Sequence, residues 1–463
     1  MRYYSFYSFF FLGTLLCPSA AQQSIIIKVN QPQQQIDGFG FSQAFGRARE
    51  FERTAEDLRR SALDYLFDTE KGAGFSIIRN RIGSGGSWDS ILPNSLGSPD
   101  DAPDYQWDGD DRGQVWFTKQ AVSYGVKTII ANAWSAPGFM KTSGNEAEPG
   151  FLCGTTGHPC ASGDWREAYA DFLVQYVKYY ADEGLEITHL APLNEPDWQV
   201  SYSQMQISDN AQEAISMIPI ISKAIQDADL KDLHLVCCDA TGWGSQYNYT
   251  NALVTAGSTR YLGAMTAHTY RGDPDKPLDQ TSLVKWNTEA GPSGKFVATW
   301  HSSGAENEGF VWALKIARAL THSQLSAFMF WQGFQNGNTA SAMHLLDTLD
   351  GETVTLSGIY WAFAMYSRYV RPGARRVATS GTVGNVITAA FQNSDASVIV
   401  VFTNEADISQ AIKASFEGFA PASASAWVTD NTHLFDATIV NLSGESITVS
   451  LPAKSVVTIK LGR

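Results

Sequence analysis

The sequence predicts an α/β fold, a closed (β/α)8 TIM barrel with an attached antiparallel β-sandwich side domain. Three observations carry this reading. From about Gln35 to Val370, short apolar runs alternate with helical periodicity, and eight of the runs read as strands. Successive right-handed crossovers set parallel strands side by side, so eight such units fit a closed barrel better than the alternative, an open doubly wound sheet. Beyond Arg371-Pro372-Gly373 the pattern changes to short alternating strands separated by Gly, Asn, Asp and Pro.

Taken in chain order, residues 1–21 read as a secretory signal. Arg2 gives the positive start, Phe6 to Cys17 is an apolar run too short to span a bilayer, and Ser19-Ala20-Ala21 fits a small-x-small cleavage site. The mature chain is expected to begin at Gln22 and to be secreted and extracellular. Residues 22–35 hold a strand, Ser24 to Val29, able to join the side domain. The barrel is expected over 36–371 and the sandwich over 372–463. The eight barrel strands are Ile36–Phe41, Gly74–Ile82, Val126–Trp134, Ile187–Asn194, Leu233–Asp239, Gly263–Tyr270, Ser282–Glu289 and Leu325–Phe334. Helices are expected from a Thr54 cap to near Gly72, over Val115 to Tyr124, around Trp165 to Tyr180, over Ala211 to Asp227 and over Leu356 to Tyr369. The sandwich strands are expected at Asn385–Phe391, Ser397–Asn404, Ile412–Phe416, Ser425–Thr429, Thr438–Asn441 and Ser455–Leu461.

Composition narrows the function classes. With 44% hydrophobic and 17% charged residues the chain is too apolar for disorder, and a net charge of −14 argues against nucleic acid as a general partner. Without a later apolar run of bilayer length, no membrane partner is expected. Of the five cysteines, Cys17 lies in the signal. Cys153 and Cys160 flank a Gly/Pro-bearing loop they could close, whereas Cys237 and Cys238, adjacent in an apolar run, read as buried free thiols. Asn248-Tyr249-Thr250 and Asn441-Leu442-Ser443 are glycosylation sequons. With few His and Cys in ligand spacing, no metal and no cofactor are expected.

In a barrel of this type the reactive groups sit at the C-terminal ends of the strands. Two acids occupy such ends: Glu195 closes the fourth strand in Asn194-Glu195-Pro196, and Glu289 closes the seventh in Thr288-Glu289-Ala290. A carboxylate ending an apolar run is costly unless it is paired or used. These two strands face one another across the barrel mouth, so their acids can converge on one bond. Cleavage of a glycosidic bond needs such a pair, one protonating the leaving oxygen while the other attacks the anomeric carbon, and a separation of about 5–5.5 Å implies retention. Burial and the charge of Glu289 would keep Glu195 protonated, while a cation and hydrogen bonds would keep Glu289 ionised. Arg79 and Arg81 point to one side of the second strand, and either could supply that cation; the alternative makes both ordinary exposed strand residues.

At this point the chain resembles glycoside hydrolase family 30. Ile36-Asp37-Gly38-Phe39-Gly40, Ile78-Arg79, the run Trp134 to Lys141, Asn194-Glu195-Pro196, His268-Thr269-Tyr270, Thr288-Glu289-Ala290 and Phe330-Trp331 are similar, in order, to that family's successive strands. The resemblance covers nearly the whole mature chain. It implies a retaining mechanism with Glu195 as acid/base and Glu289 as nucleophile. It also implies Asn194 as donor to the sugar 2-OH, Tyr270 as hydrogen-bond partner of the nucleophile, and Arg79 beneath it. Trp134 and Trp331 would face pyranose rings, although both could be plain core; His268, placed below Tyr270 in rank, could be a satisfied core histidine.

The stretch Asp100 to Gly113 and the Cys153–Cys160 loop resemble fungal subfamily 7, mainly xylanases, several of them acting on glucuronoxylan. Recognition of a glucuronate branch would need a cation near the cleft. Arg47 is the first candidate, with Arg49 and Lys141 behind it; the alternative pairs Arg47 and Arg49 with Glu50 or Glu52 at the surface. The expectation is a monomeric secreted endo-β-1,4-xylanase whose partner is xylan or glucuronoxylan. The alternatives are a xylobiose-releasing exo-xylanase, an endo-β-1,6-glucanase, and a non-catalytic carbohydrate-binding protein.

Overall fold

The computed structural model describes residues 24–86 and 88–463. The expected signal segment, residues 1–21, lies outside them. The strands in chain order are β1 (Ser24–Gln35), β2 (Gly38–Ser42), β3 (Ile77–Ile82), β4 (Thr128–Ala133), β5 (His189–Ala191), β6 (His234–Ala240), β7 (Ala264–His268), β8 (Val284–Glu289) and β9 (Ala327–Phe334). There follow β10 (His344–Asp347), β11 (Thr355–Leu356), β12 (Arg375–Ser380), β13 (Val386–Gln392), β14 (Val398–Asn404), β15 (Gln410–Glu417), β16 (Ser423–Thr429), β17 (Leu434–Thr438), β18 (Val440–Ser443), β19 (Ser446–Leu451) and β20 (Ser455–Gly462). The helices are α1 (Arg47–Glu52), α2 (Glu56–Phe67), α3 (Gln114–Ser123), α4 (Arg166–Asp182), α5 (Gln212–Asp227), α6 (Trp243–Thr255), α7 (Gly309–Thr321) and α8 (Gly358–Ser367).

Strands β2 to β9 pair in sequence order, all parallel, and β9 returns to both β8 and β2, which closes the barrel. All eight expected strands are present. The connection from β7 to β8 carries no α-helix, unlike the other βα units. One end of the barrel is plugged by Ile77, Ile130, Ala191, Val236, Ala264, Trp286, Ala327 and Met329, which form a separate apolar cluster drawn from seven strands. Strand β2 joins this layer with glycine: a Cβ on Gly40 would stand 2.7 Å from the Ile77 Cβ. Because strand side chains alternate, Arg79 and Arg81 share the inward face with Ile77, one and two steps closer to the mouth.

Thr54 does not cap α2. Its hydroxyl donates to the Glu50 carbonyl at the end of α1, and Ala55 occupies the cap position. Cys153 and Cys160 are bonded. Cys237 and Cys238 are bonded to each other as well, which corrects the reading as free thiols. In a regular strand neighbouring side chains point to opposite faces, so an apolar strand pattern gives no reason to join them. The Asp100–Gly113 stretch packs on the outside of the barrel, where the Trp107 ring stacks on Tyr179 of α4 at 5.1 Å.

The second sheet runs β17-β16-β20-β14-β13-β12-β1-β15-β19-β18. Its pairings are antiparallel except for β1 with β15, so the chain's first described strand is built into its last domain. The sheet has its own apolar core around Ile27, Val400, Phe402 and Ile459. Its other side, through Phe391, Ile399, Val401 and Val456, joins the barrel's cluster against α8. Among the described residues no helix is long and apolar enough to cross a membrane. Phe391 is fully buried in the shared core, so Phe391→Ala is expected to cost about 3–5 kcal/mol. Calorimetry should show one transition moving as a unit; two separate transitions would contradict the shared core.

Candidate active site

Arg79 anchors the barrel mouth. It is fully buried, and its Nη1 donates to Glu289 Oε2 at 2.5 Å. Its Nη2 donates to Asn194 Oδ1 at 2.7 Å and to Asn132 Oδ1, and lies 3.5 Å from Asp239 Oδ2. The Trp134 ring covers the guanidinium at 4.5 Å. Of the two arginines weighed as the local cation, Arg79 is the one that reaches the acids. Arg81 pairs with Asp89 and donates to Ser203 Oγ at 2.6 Å, with its guanidinium against the Phe45 ring.

Glu195 and Glu289 both converge beside this cation. A carboxylate oxygen of each and a His268 ring nitrogen all lie within 4.8 Å of one another. The two acids differ in their partners. Glu289 Oε1 accepts from the Tyr270 hydroxyl at 2.8 Å while Oε2 is held by Arg79. Glu195 Oε1 lies 3.0 Å from His268 Nδ1. Glu195 is held at φ 47, in the left-handed region that non-glycine residues seldom occupy, with its backbone N–H donating to the Asp239 carbonyl at 2.8 Å. Burial raises the Glu289 carboxyl above the ordinary carboxylate range, against the opposing pull of His268, Arg79 and the Tyr270 hydroxyl. Burial disfavours charge on His268, but Glu289 and Glu195 outweigh it and push the imidazole up. Glu195, His268 and Glu289 offer a metal ion three donors, yet Arg79 already sets a fixed positive charge on the Glu289 carboxylate, which a divalent ion would have to displace.

The two glutamates open into a cavity of about 640 Å³ walled by Phe45, Trp134, Trp198, Tyr202, Tyr270 and Trp331, with Thr241, Arg271 and Met343. Phe45 meets the edges or faces of Trp134, Tyr202 and Trp331 at 5.4–6.4 Å, so these four rings form one continuous aromatic surface on the wall. Trp134 and Trp331 therefore face the cavity as well as the core. Asn194 keeps its carbonyl on Arg79, which leaves its amide nitrogen as the donor. His268 is buried behind the acids and does not line the cavity.

The three cations considered for the cleft are placed elsewhere. Arg47 pairs with Glu50 at 2.5 Å and Arg49 with Glu52 at 2.9 Å and with Asp110, so the surface pairing applies to both. Helical i,i+3 spacing on α1 brings each pair together, and none of them lines the cavity. Lys141 is buried with its Nζ donating to the carbonyls of Asn145, Glu146, Glu148 and Gln204. Burial lowers its ammonium to about 8, so at neutral pH it keeps the protons those carbonyls need. The cation that does line the cavity is Arg271, with its guanidinium 3.2 Å from the centre of the Trp198 ring.

Sequence reasoning missed Asn132, Asp239, Phe45, Trp198, Tyr202, Arg271 and Met343. Asn132 was legible as the inward neighbour of Ile130, and Asp239 and Arg271 as residues at strand ends. Phe45, Tyr202 and Met343 lie in irregular segments, where no period points at them. Lys141→Met would take a donor from four carbonyls, of which those of Asn145, Glu146 and Gln204 keep another, so a loss of about 1–3 kcal/mol is expected in thermal or denaturant melting.

The sequence profile of O-glycosyl hydrolase family 30 matches residues 22–268, and that of the family 30 beta sandwich domain matches 373–459. The solved catalytic domain of GH30 xylanase C from Talaromyces cellulolyticus is 43% identical with a TM-score of 0.91, over 95% of this chain and 100% of that one. Endo-1,6-beta-D-glucanase neg1 of Aspergillus fumigatus is 24% identical across 80% of this chain and 79% of its own length. Putative glucosylceramidase 1 of Caenorhabditis elegans is 22% identical across 66% of this chain, which spans only 60% of that protein.

Proposed function

The chain belongs to glycoside hydrolase family 30, and from that premise we propose that it is a secreted retaining endo-β-1,4-xylanase acting on (glucurono)xylan. The observation that carries the mechanism is the pair of carboxylates within 4.8 Å across an open aromatic cleft, one of them bound to a buried arginine. That spacing is close to the roughly 5–5.5 Å of retaining pairs and short of the roughly 6.5–9.5 Å that a water needs in inverting ones.

In this reading Glu289 attacks the anomeric carbon while Glu195 gives its proton to the leaving oxygen, so a glycosyl ester forms as the glycosidic bond breaks. Glu195, now a carboxylate, then takes a proton from a water that attacks the same carbon, and the ester bond breaks to return Glu289. Arg79 and the Tyr270 hydroxyl aim the attacking carboxylate and oppose the upward push that burial exerts on it. The Asn194 amide is placed to donate to the sugar 2-OH, an interaction that strengthens as charge builds at the anomeric centre.

The 43% identical solved domain, described as a xylanase, supports xylan as the substrate. The similarity to a β-1,6-glucanase favours that activity as the second reading. Export fits the N-terminal apolar run and two disulfides. Hydrolysis of glucuronoxylan and arabinoxylan but not β-1,6-glucan is expected in product analysis, and β-1,6-glucan as the sole hydrolysed polymer would retire the xylanase assignment. NMR of the first product should show the β anomer. Glu289→Gln is expected to lower kcat by about 10³-fold or more while polymer binding persists; full activity in that variant would overturn the nucleophile assignment.

A uronate branch pairs best with a guanidinium, and Arg271 is the one on the cavity wall. Arg271→Ala is expected to lower kcat/KM on glucuronoxylan about 10–100-fold more than on undecorated xylan, whereas Arg47→Ala leaves that ratio unchanged. Equal losses on both polymers would discard the uronate role of Arg271.

A further inference from the structure

A third carboxylate lies beneath the two glutamates. Asp239 is the last residue but one of β6, is fully buried, and does not line the cavity. Its Oδ1 accepts from the Thr288 hydroxyl at 2.5 Å and lies 3.9 Å from His268 Nε2. Its Oδ2 sits 3.5 Å from Arg79 Nη2 and has no hydrogen-bond partner among the described residues. Its backbone carbonyl holds the Glu195 N–H, and Thr288 is the residue before Glu289. One side chain thus touches the strands of the arginine, the histidine and the nucleophile, and its main chain fixes the acid/base.

A buried carboxylate with an unbonded oxygen is costly unless nearby positive charge compensates it. If Asp239 served only to receive the Thr288 hydroxyl, a neutral amide would do the same without that cost. We propose that Asp239 is a positioning residue whose fixed negative charge balances the second positive charge of the cage, on His268, and so keeps the exchangeable proton on Glu195. This rests on the assignment of Glu195 as acid/base and Glu289 as nucleophile.

The charges close in both halves of the reaction. Before attack, Arg79 and His268 carry two positive charges, Asp239 and Glu289 two negative, and Glu195 is neutral. In the ester, Glu289 is neutral and Glu195, having given up its proton, is negative, so the sum is unchanged. Without Asp239 the cage holds one excess positive charge at every stage. The groups facing it are Arg79 from β3, Glu195 after β5, His268 and Tyr270 at the end of β7, and Glu289 from β8, with Tyr202 above the two glutamates. Burial and Arg79 disfavour the charge on His268, and the Glu289 carboxylate, 4.0 Å from its Nε2, favours it together with Asp239 at 3.9 Å.

The test is the pH profile of kcat/KM for Asp239→Asn beside Thr288→Val. Loss of a buried anion favours deprotonation of every neighbour, so Asp239→Asn is expected to move both limbs of the bell to lower pH, by about one unit. Thr288→Val keeps the charge and is expected to lower kcat with the limbs in place. A bell that stays put or moves up in Asp239→Asn would overturn the proposal, as would a matching shift in Thr288→Val. Folding of the variants does not limit the test, because 15N-histidine spectra of the unaltered protein read His268 directly. A doubly protonated ring at neutral pH is expected, and a neutral ring would sink the charge balance. An active Glu289→Gln variant would instead count against the assignment beneath it.

Discussion

Arg79 has no solvent to screen it, and Glu289, Asn132, Asn194 and Asp239 stand where that charge needs a partner. A guanidinium is flat, permanently charged and able to donate in several directions at once. It takes Glu289 on one side and the Asn132 and Asn194 carbonyl oxygens on the other, with Asp239 nearby and an indole over its face. Remove it, and a buried carboxylate loses its main counter-charge, two amides lose their orientation, and Trp134 loses the plane on which it rests. The barrel supplies what such a residue requires: β3 sits between β2 and β4, so its inward side chains are shielded on all sides while their tips still reach the mouth.

The difference between the two glutamates follows from this placement. Both are largely buried, yet Glu289 receives a permanent cation and a phenol, whereas Glu195 receives an imidazole whose own charge depends on its neighbours. One acid therefore has a permanent cation and a phenol opposing the upward push of burial, and the other sits beside a group able to gain or lose a proton. The strained backbone of Glu195 is affordable because an adjacent main-chain carbonyl holds its N–H and the surrounding barrel leaves it nowhere to relax.

Periodicity sufficed for the scaffold. The eight barrel strands lie within a few residues of where apolar runs place them, and Ser24–Val29 does enter the sandwich, although its pairing with β15 is parallel. Patterning marks which residues are buried, and a barrel follows once eight parallel strands must hide both faces. The two glutamates were legible for the same reason: acids at the ends of apolar runs have no bland explanation. Arg47 and Lys141 show where that reasoning fails. Each follows a strand at the active face, and each is satisfied by near neighbours in the chain, Arg47 by Glu50 one turn along its helix and Lys141 by carbonyls of its own loop together with Gln204.

The linear chain by itself determined the two architectures, the strand ends that bear the acids, and the shared parity of Arg79 and Arg81, because these depend on local alternation and on the cost of burying charge. Only the tertiary structure decided which cation meets which anion, that Asp239 lies under both glutamates, that Arg271 rather than Arg47 reaches the cavity, and that Cys237 bonds its own neighbour. Those outcomes turn on distances of a few ångströms between residues up to 210 positions apart, such as Arg79 and Glu289. Coulomb and hydrogen-bond energies change steeply over such distances, and no periodicity in a sequence records them.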